Sequence, residues 1–127
     1  MKENNLTIQI NKPLHDVFLF CITPPNSTKW IPGVIHEETN EWPVKVGTVY
    51  LLSNNKNETS RVIVSQIINE EMVEWVSEDK NYHCKYTFKS FEQNITELQY
   101  NECVDKGDIN RPFSIEILDK LKEVLEI

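Results

Sequence analysis

Asn110-Arg-Pro-Phe-Ser-Ile-Glu-Ile-Leu-Asp-Lys-Leu-Lys-Glu-Val-Leu-Glu-Ile127 follows about sixty residues of strand-like pattern that run to Val104. Asn110 suits an N-cap and Pro112 a first helical turn. Leu118, Leu121 and Leu125 recur at helical spacing, flanked by Ile117 and Val124. Asp119, Lys120, Lys122, Glu123 and Glu126 fill the opposite side. The spacing predicts one helix of ~16 residues from about Asn110, spanning roughly 24 Å. Such a helix must bury its apolar stripe. The only large surface on offer is the sheet that precedes it.

That sheet is legible upstream. Strands are predicted near Leu6–Ile10, Val34–Thr39, Thr48–Ser53, Thr59–Ile68, Met72–Ser77, Tyr82–Phe91 and Ile95–Val104. Turn-type residues separate the later ones: Asn54-Asn-Lys-Asn57, Asn69-Glu70, Asp79-Lys80 and Glu92-Gln-Asn94. Between the first two strands, Pro13 opens a helix from Leu14 to about Ile22, and Pro24-Pro25 ends it. A short second helix or turn covers Asn26 to about Trp30.

Charges set the register of the central hairpins. With Glu92-Gln93-Asn94 as a loop and Asn94 left-handed, Phe88 faces Leu98, Tyr86 faces Tyr100 and Cys84 faces Glu102. Lys89 then meets Glu97 on the other face. With Asp79-Lys80 as a two-residue loop, Trp75 faces Cys84, and Glu74 meets Lys85 outside. Opposite charges across a pair favour this register by a few tenths of a kcal/mol each. A slip of one residue would put Trp75 and Tyr86 among the charges. A two-residue turn at Asn69-Glu70 places Val64 opposite Trp75. The facing of the strands between residues 34 and 53 is not fixed by pattern.

Composition limits the function. At 127 residues, 39% hydrophobic and 26% charged, the chain fits one soluble domain with a real core. A net charge of −7 disfavours nucleic acid, which needs a basic footprint. No stretch reaches the ~20 apolar residues of a membrane span, and no signal-peptide core is seen. Cys21, Cys84 and Cys103 are odd in number and widely spaced, as reduced thiols of a cytoplasmic protein would be. His15, His36 and His83 are dispersed, so no metal site is expected. No Gly-rich phosphate loop or other cofactor motif appears.

Several motifs recur together in one known group. Pro13-Leu-His-Asp-Val-Phe18 is followed by Trp30-Ile-Pro-Gly33, Gly47-Thr-Val-Tyr50, Tyr86-Thr-Phe88, Ile95-Thr96 and Arg111-Pro-Phe113 before a Leu-rich helix. In this order they resemble START-like proteins of the SRPBCC superfamily, of the polyketide-cyclase/dehydrase type. The resemblance spans the whole chain, residues 1–127, as one domain. It implies an α+β helix-grip fold: a curved antiparallel sheet of six to seven strands around a long C-terminal helix, with two short helices after the first strand. It also implies binding of hydrophobic small molecules. Some members of the group catalyse cyclisation or dehydration, and others are related to activators of a heat-shock ATPase. Asn94 stands where a Gly is common in the group.

Candidate ligand-binding residues follow from the register and the expected cavity between sheet and helix. Trp75, Tyr82, Tyr86, Phe88, Leu98, Tyr100 and Glu102 lie on the inner sheet face. Leu118 and Leu121 face them from the helix, with Phe18, Ile22 and Trp30 near the entrance. Glu102 is a weak catalytic candidate. An inward carboxylate must be paired, hydrogen-bonded or protonated, or else sit on a solvated rim. It could orient a ligand hydroxyl or act as a general acid or base.

Three functions are therefore in play: a binding protein for a hydrophobic or amphipathic small molecule, an enzyme of the cyclase, dehydratase or hydrolase kind using Glu102 and pocket tyrosines, and a protein-interaction module. A homodimer is an open option. An enzyme calls for convergent polar side chains deep in a pocket, and a carrier for a nearly apolar one. An interaction module calls for a filled core and an exposed apolar patch.

Overall fold

The computed structural model describes residues 2–127. Seven antiparallel strands form one curved sheet: β1 (Glu3–Ile10), β2 (Val34–Thr39), β3 (Val49–Asn54), β4 (Thr59–Ile68), β5 (Met72–Ser77), β6 (Tyr82–Glu92) and β7 (Ile95–Val104). Their spatial order is β1-β7-β6-β5-β4-β3-β2. Five successive hairpins thus build the sheet from β2 to β7. β1 closes the far edge by pairing with β7, where Leu6 faces Tyr100 and Ile8 faces Leu98.

Since β1 and β2 lie on opposite edges, the chain between them must cross the sheet. It does so through helix α1 (Leu14–Ile22) and a single 3-10 turn, Asn26–Lys29. Pro13 caps α1, and Val17, Phe18 and Ile22 are its buried side chains. Thr23 leaves the helix in extended conformation, as a residue before proline prefers. This crossing packs α1 against β6 and β7 and the 3-10 turn against β2.

The central register is the one the charges favour. Phe88 pairs with Leu98, Tyr86 with Tyr100, Cys84 with Glu102 and Lys89 with Glu97. Trp75 pairs with Cys84 and Glu74 with Lys85. Asn94 has φ 68, the left-handed conformation that Asn tolerates. Val64 does face Trp75, but by a different route than a two-residue turn. Ile68 pairs with Met72, so the loop holds three residues, Asn69-Glu70-Glu71. A bulge between Val64 and Gln66 then restores the phase.

The C-terminal helix α2 runs Ile115–Leu125, 11 residues and about 16 Å, shorter than predicted. Asn110 is not its cap; Ser114 is. Arg111, in left-handed conformation at φ 58, turns the chain ahead of Pro112 and delays the helix. Leu118 and Leu121 are fully buried. α2 packs chiefly against β1, where the Lys122 ammonium donates to the Gln9 carbonyl at 2.8 Å and Glu126 accepts from the Asn11 N–H at 2.7 Å. The helix thus covers the β1 side of the concave face. On the β2 side the concave face is met by the 3-10 turn.

No helix among the described residues is long and apolar enough to cross a membrane.

A buried carboxylate in an aromatic cavity

The inner face divides into a filled half and a hollow half. In the filled half, Ile8, Ile10, Leu98, Leu118 and Leu121 pack with Phe88, whose ring meets Phe18 edge-on at 5.2 Å. In the hollow half lies a cavity of about 190 Å3. Trp30, Tyr50, Trp75, Tyr82, Tyr86, Tyr100 and Phe113 form its aromatic wall. Cys21, Ile31, Val34, Leu52, Val62 and Cys84 complete the apolar lining, with Ser27 and Glu37 beside them.

The wall is cross-braced by ring contacts. Tyr50 meets Trp75 at 5.4 Å, Trp75 meets Tyr86 at 5.2 Å and Trp30 meets Tyr86 at 6.4 Å, all edge-on. Phe113 lies flat on Tyr100 at 4.7 Å. The Tyr50 hydroxyl donates to the Ile22 carbonyl at 2.6 Å, which joins β3 to the end of α1.

Two inward carboxylates serve this half of the sheet in different ways. Glu102, on β7, is almost completely buried, so the solvated-rim alternative does not hold. It lies behind the wall. One oxygen accepts from the Tyr82 hydroxyl at 2.7 Å. The other accepts from the Asn4 amide at 2.9 Å and the Phe113 N–H at 2.7 Å. The Asn4 amide also donates to the Phe113 carbonyl at 2.8 Å. Glu102 therefore fastens β1, β6 and the segment before α2 to β7.

Glu37, on β2, lines the cavity itself and is 8% exposed. It accepts a hydrogen bond from the Ser27 N–H at 3.1 Å. Burial pushes its carboxyl above the usual carboxylate value, and Ser27 holds part of that rise back. The Ser27 hydroxyl, though close, completes no hydrogen bond, and neither does the Trp75 indole N–H. An unpaired buried polar group costs about 1–3 kcal/mol, so both mark positions where a bound molecule could supply a partner.

The thiols and phenols of the wall are held neutral. Burial raises Cys84 to about 12 and Cys21 further still. Tyr50, Tyr82, Tyr86 and Tyr100 are all pushed up, chiefly by burial. A thiol held protonated is a poor nucleophile. His15, His36 and His83 sit outside the cavity beside Glu70, Glu38 and Asp105.

Of the twelve residues singled out in the sequence, Trp30, Trp75, Tyr82, Tyr86 and Tyr100 line the cavity. Glu102 stands one layer behind. Phe88, Leu98, Leu118, Leu121, Phe18 and Ile22 belong to the packed core, so neither α2 nor α1's Phe18 and Ile22 line this cavity. The hollow is displaced toward β2 and β3 because α2 is short and hugs β1.

The main residue missed is Glu37. Val34 pairs with Asn54 but His36 pairs with Ser53, so Ile35 is bulged out of the ladder. That bulge inverts the alternation, which turns Val34 and Glu37 to the same side. Without it, an inward Val34 would imply an inward His36. Gly or Pro within the strand would have hinted at the bulge, and neither is present.

No family model matches the chain, and no curated protein matches it. Solved structures do share its fold. An uncharacterized protein from Bacillus thuringiensis superimposes with a TM-score of 0.74 at 13% identity, over 98% of this chain and 99% of that one. The Aha1 dimer from Colwellia psychrerythraea gives 0.75 at 16% identity, over 100% of this chain and 98% of that one. DynU16, from the dynemicin biosynthetic locus, gives 0.71 at 12% identity, over 99% of this chain but 48% of that one. At these identities the likeness is one of fold: a curved antiparallel sheet with a C-terminal helix.

Proposed function

We propose that the chain is one helix-grip domain of the START-like, SRPBCC kind, and that it binds a small, largely apolar molecule in the cavity between β2–β6 and the 3-10 turn. The observation that carries this is the cavity itself: an aromatic-walled space with few polar atoms, bordering the hydrophobic core. Its size decides the ligand class. At about 190 Å3 it falls below the roughly 300 Å3 typical of drug-sized ligand sites. A 150 Å3 cavity accommodates benzene, so by proportion this one takes about seven or eight non-hydrogen atoms. A single substituted ring or a short branched molecule fits; a long-chain lipid or polycyclic polyketide does not.

The catalytic alternative loses ground at Glu102, both of whose oxygens already accept hydrogen bonds within the fold. The cavity likewise favours ligand binding over a purely surface-mediated interaction, which would call for a filled core.

Toluene provides a direct test. It should alter Trp emission and perturb the NMR signals of Trp30, Trp75 and Tyr86 at saturable concentrations, and native mass spectrometry of freshly purified protein should reveal a small co-purified molecule. A folded protein that shows neither response contradicts this reading.

A further inference from the structure

Glu37 is the one charged side chain among the described residues that line the cavity. No Lys, Arg or His among the described residues lies within ion-pair range of it, and its neutral donors come from one residue, Ser27. Glu102, buried in the same sheet, has three donors. A carboxylate taken from water with so little compensation costs several kcal/mol. A cation brought by a ligand would remove that cost.

Other features of the lining also suit a cation. Trp30, Tyr50, Trp75 and Tyr86 line the same space, and ring faces attract ammonium groups within about 6 Å. Among the described residues no basic one lines the cavity to repel a cation or recruit an anion. The net charge of −7 raises the local concentration of small cations around the molecule. The volume suits an ammonium group with three or four small substituents. A neutral ligand would satisfy the walls but bring the Glu37 carboxylate no counterion.

We propose that the cavity selects a small organic cation, an amine or quaternary ammonium compound, through the Glu37 carboxylate and the rings of Trp30, Tyr50, Trp75 and Tyr86. This rests on the ligand-binding reading above and specifies the ligand's charge.

The test compares choline with dimethylbutanol, its uncharged isostere with carbon in place of nitrogen, by calorimetry or Trp fluorescence, with toluene as the probe of the cavity alone. Choline should bind at least roughly tenfold more tightly than the isostere. Glu37→Gln, shown folded by circular dichroism, should abolish or reverse that preference while toluene binding persists. Equal or tighter binding of the isostere by the parent protein overturns the cation inference and leaves the cavity reading standing. So does binding of toluene without choline. If none of the three binds, both readings fall together.

Discussion

The Phe113 N–H donates to the Glu102 carboxylate across 2.7 Å, so the segment that leads into α2 is fastened to the middle of the fold and not merely draped over it. Pairing a buried acid with a backbone donor makes Glu102 a structural residue. Removing its side chain orphans three donors at once, on Tyr82, Asn4 and Phe113. Glu102→Ala should therefore lose about 3 kcal/mol or more in urea unfolding. Glu102→Gln should lose under ~1 kcal/mol. Its carbonyl can keep Asn4 and Phe113, and its amide can donate to the Tyr82 hydroxyl, which accepts as well as donates. A Gln variant as unstable as the Ala variant would show that the charge is required.

The start of α2 gives a second prediction. Leu121 is fully buried, so Leu121→Ala should cost ~2–4 kcal/mol. Asn110 lies outside the helix, whose cap is Ser114. Asn110→Ala should thus stay within about 0.5 kcal/mol of the parent, where loss of a true N-cap costs ~1 kcal/mol. Thermal unfolding of the two variants separates these values.

These contrasts show which parts of the fold the sequence determines in isolation. Trp75, Cys84, Glu102 and Tyr86 could be placed because large aromatics and alternating charges admit one register. At Val64 a longer turn at Asn69 and a bulge at Ser65 offset each other, so a two-residue turn and the observed three-residue turn lead to the same partner, Trp75. At Ile35 the bulge had no compensating irregularity, and Glu37 was lost from view. The helix start was misplaced because Arg111 takes a left-handed conformation that no propensity for Arg suggests. Phe113 went unassigned for the same reason, since its position depends on that turn. Patterns of period two and 3.6 survive where the backbone is regular, and the cavity here is built where it is not.

Filling the cavity from its half-buried wall supplies a third prediction. Val62 lines the space beside Tyr50, its partner across β3 and β4. Val62→Phe should insert a ring into the hollow and weaken toluene binding by at least roughly tenfold, with stability changed by no more than ~1–3 kcal/mol. The readout is the Trp emission response. Unaltered toluene affinity would place the bound ligand somewhere other than this cavity.

The last prediction concerns pH and isolates Glu37. Its folded-state pKa is raised, chiefly by burial, from the ordinary carboxylate value of 4.5. The folded protein therefore holds this proton more tightly than the unfolded chain does. Stability from this group is greatest in acid, declines as pH rises through 4.5 and levels off above the folded-state pKa. The thiol and phenols facing Glu37 in the cavity do not titrate alongside it. Cys21 on α1, Tyr50 on β3 and Tyr86 on β6 are all pushed upward and remain neutral throughout that range. Asp79 and Glu126, whose pKa values are lowered, contribute slopes of opposite sign, but they are shared by parent and variant. The difference between Glu37→Gln and parent is thus the quantity to follow. It should move in favour of the variant from pH 4 to pH 7, because only the parent must bury a charge as the pH rises. A cation bound in the cavity would oppose that trend by stabilising the ionised form, so saturating choline should flatten the difference. A flat difference in the absence of ligand would mean that Glu37 is as well solvated in the fold as in the unfolded chain, and the cavity would then have no unmet charge to offer.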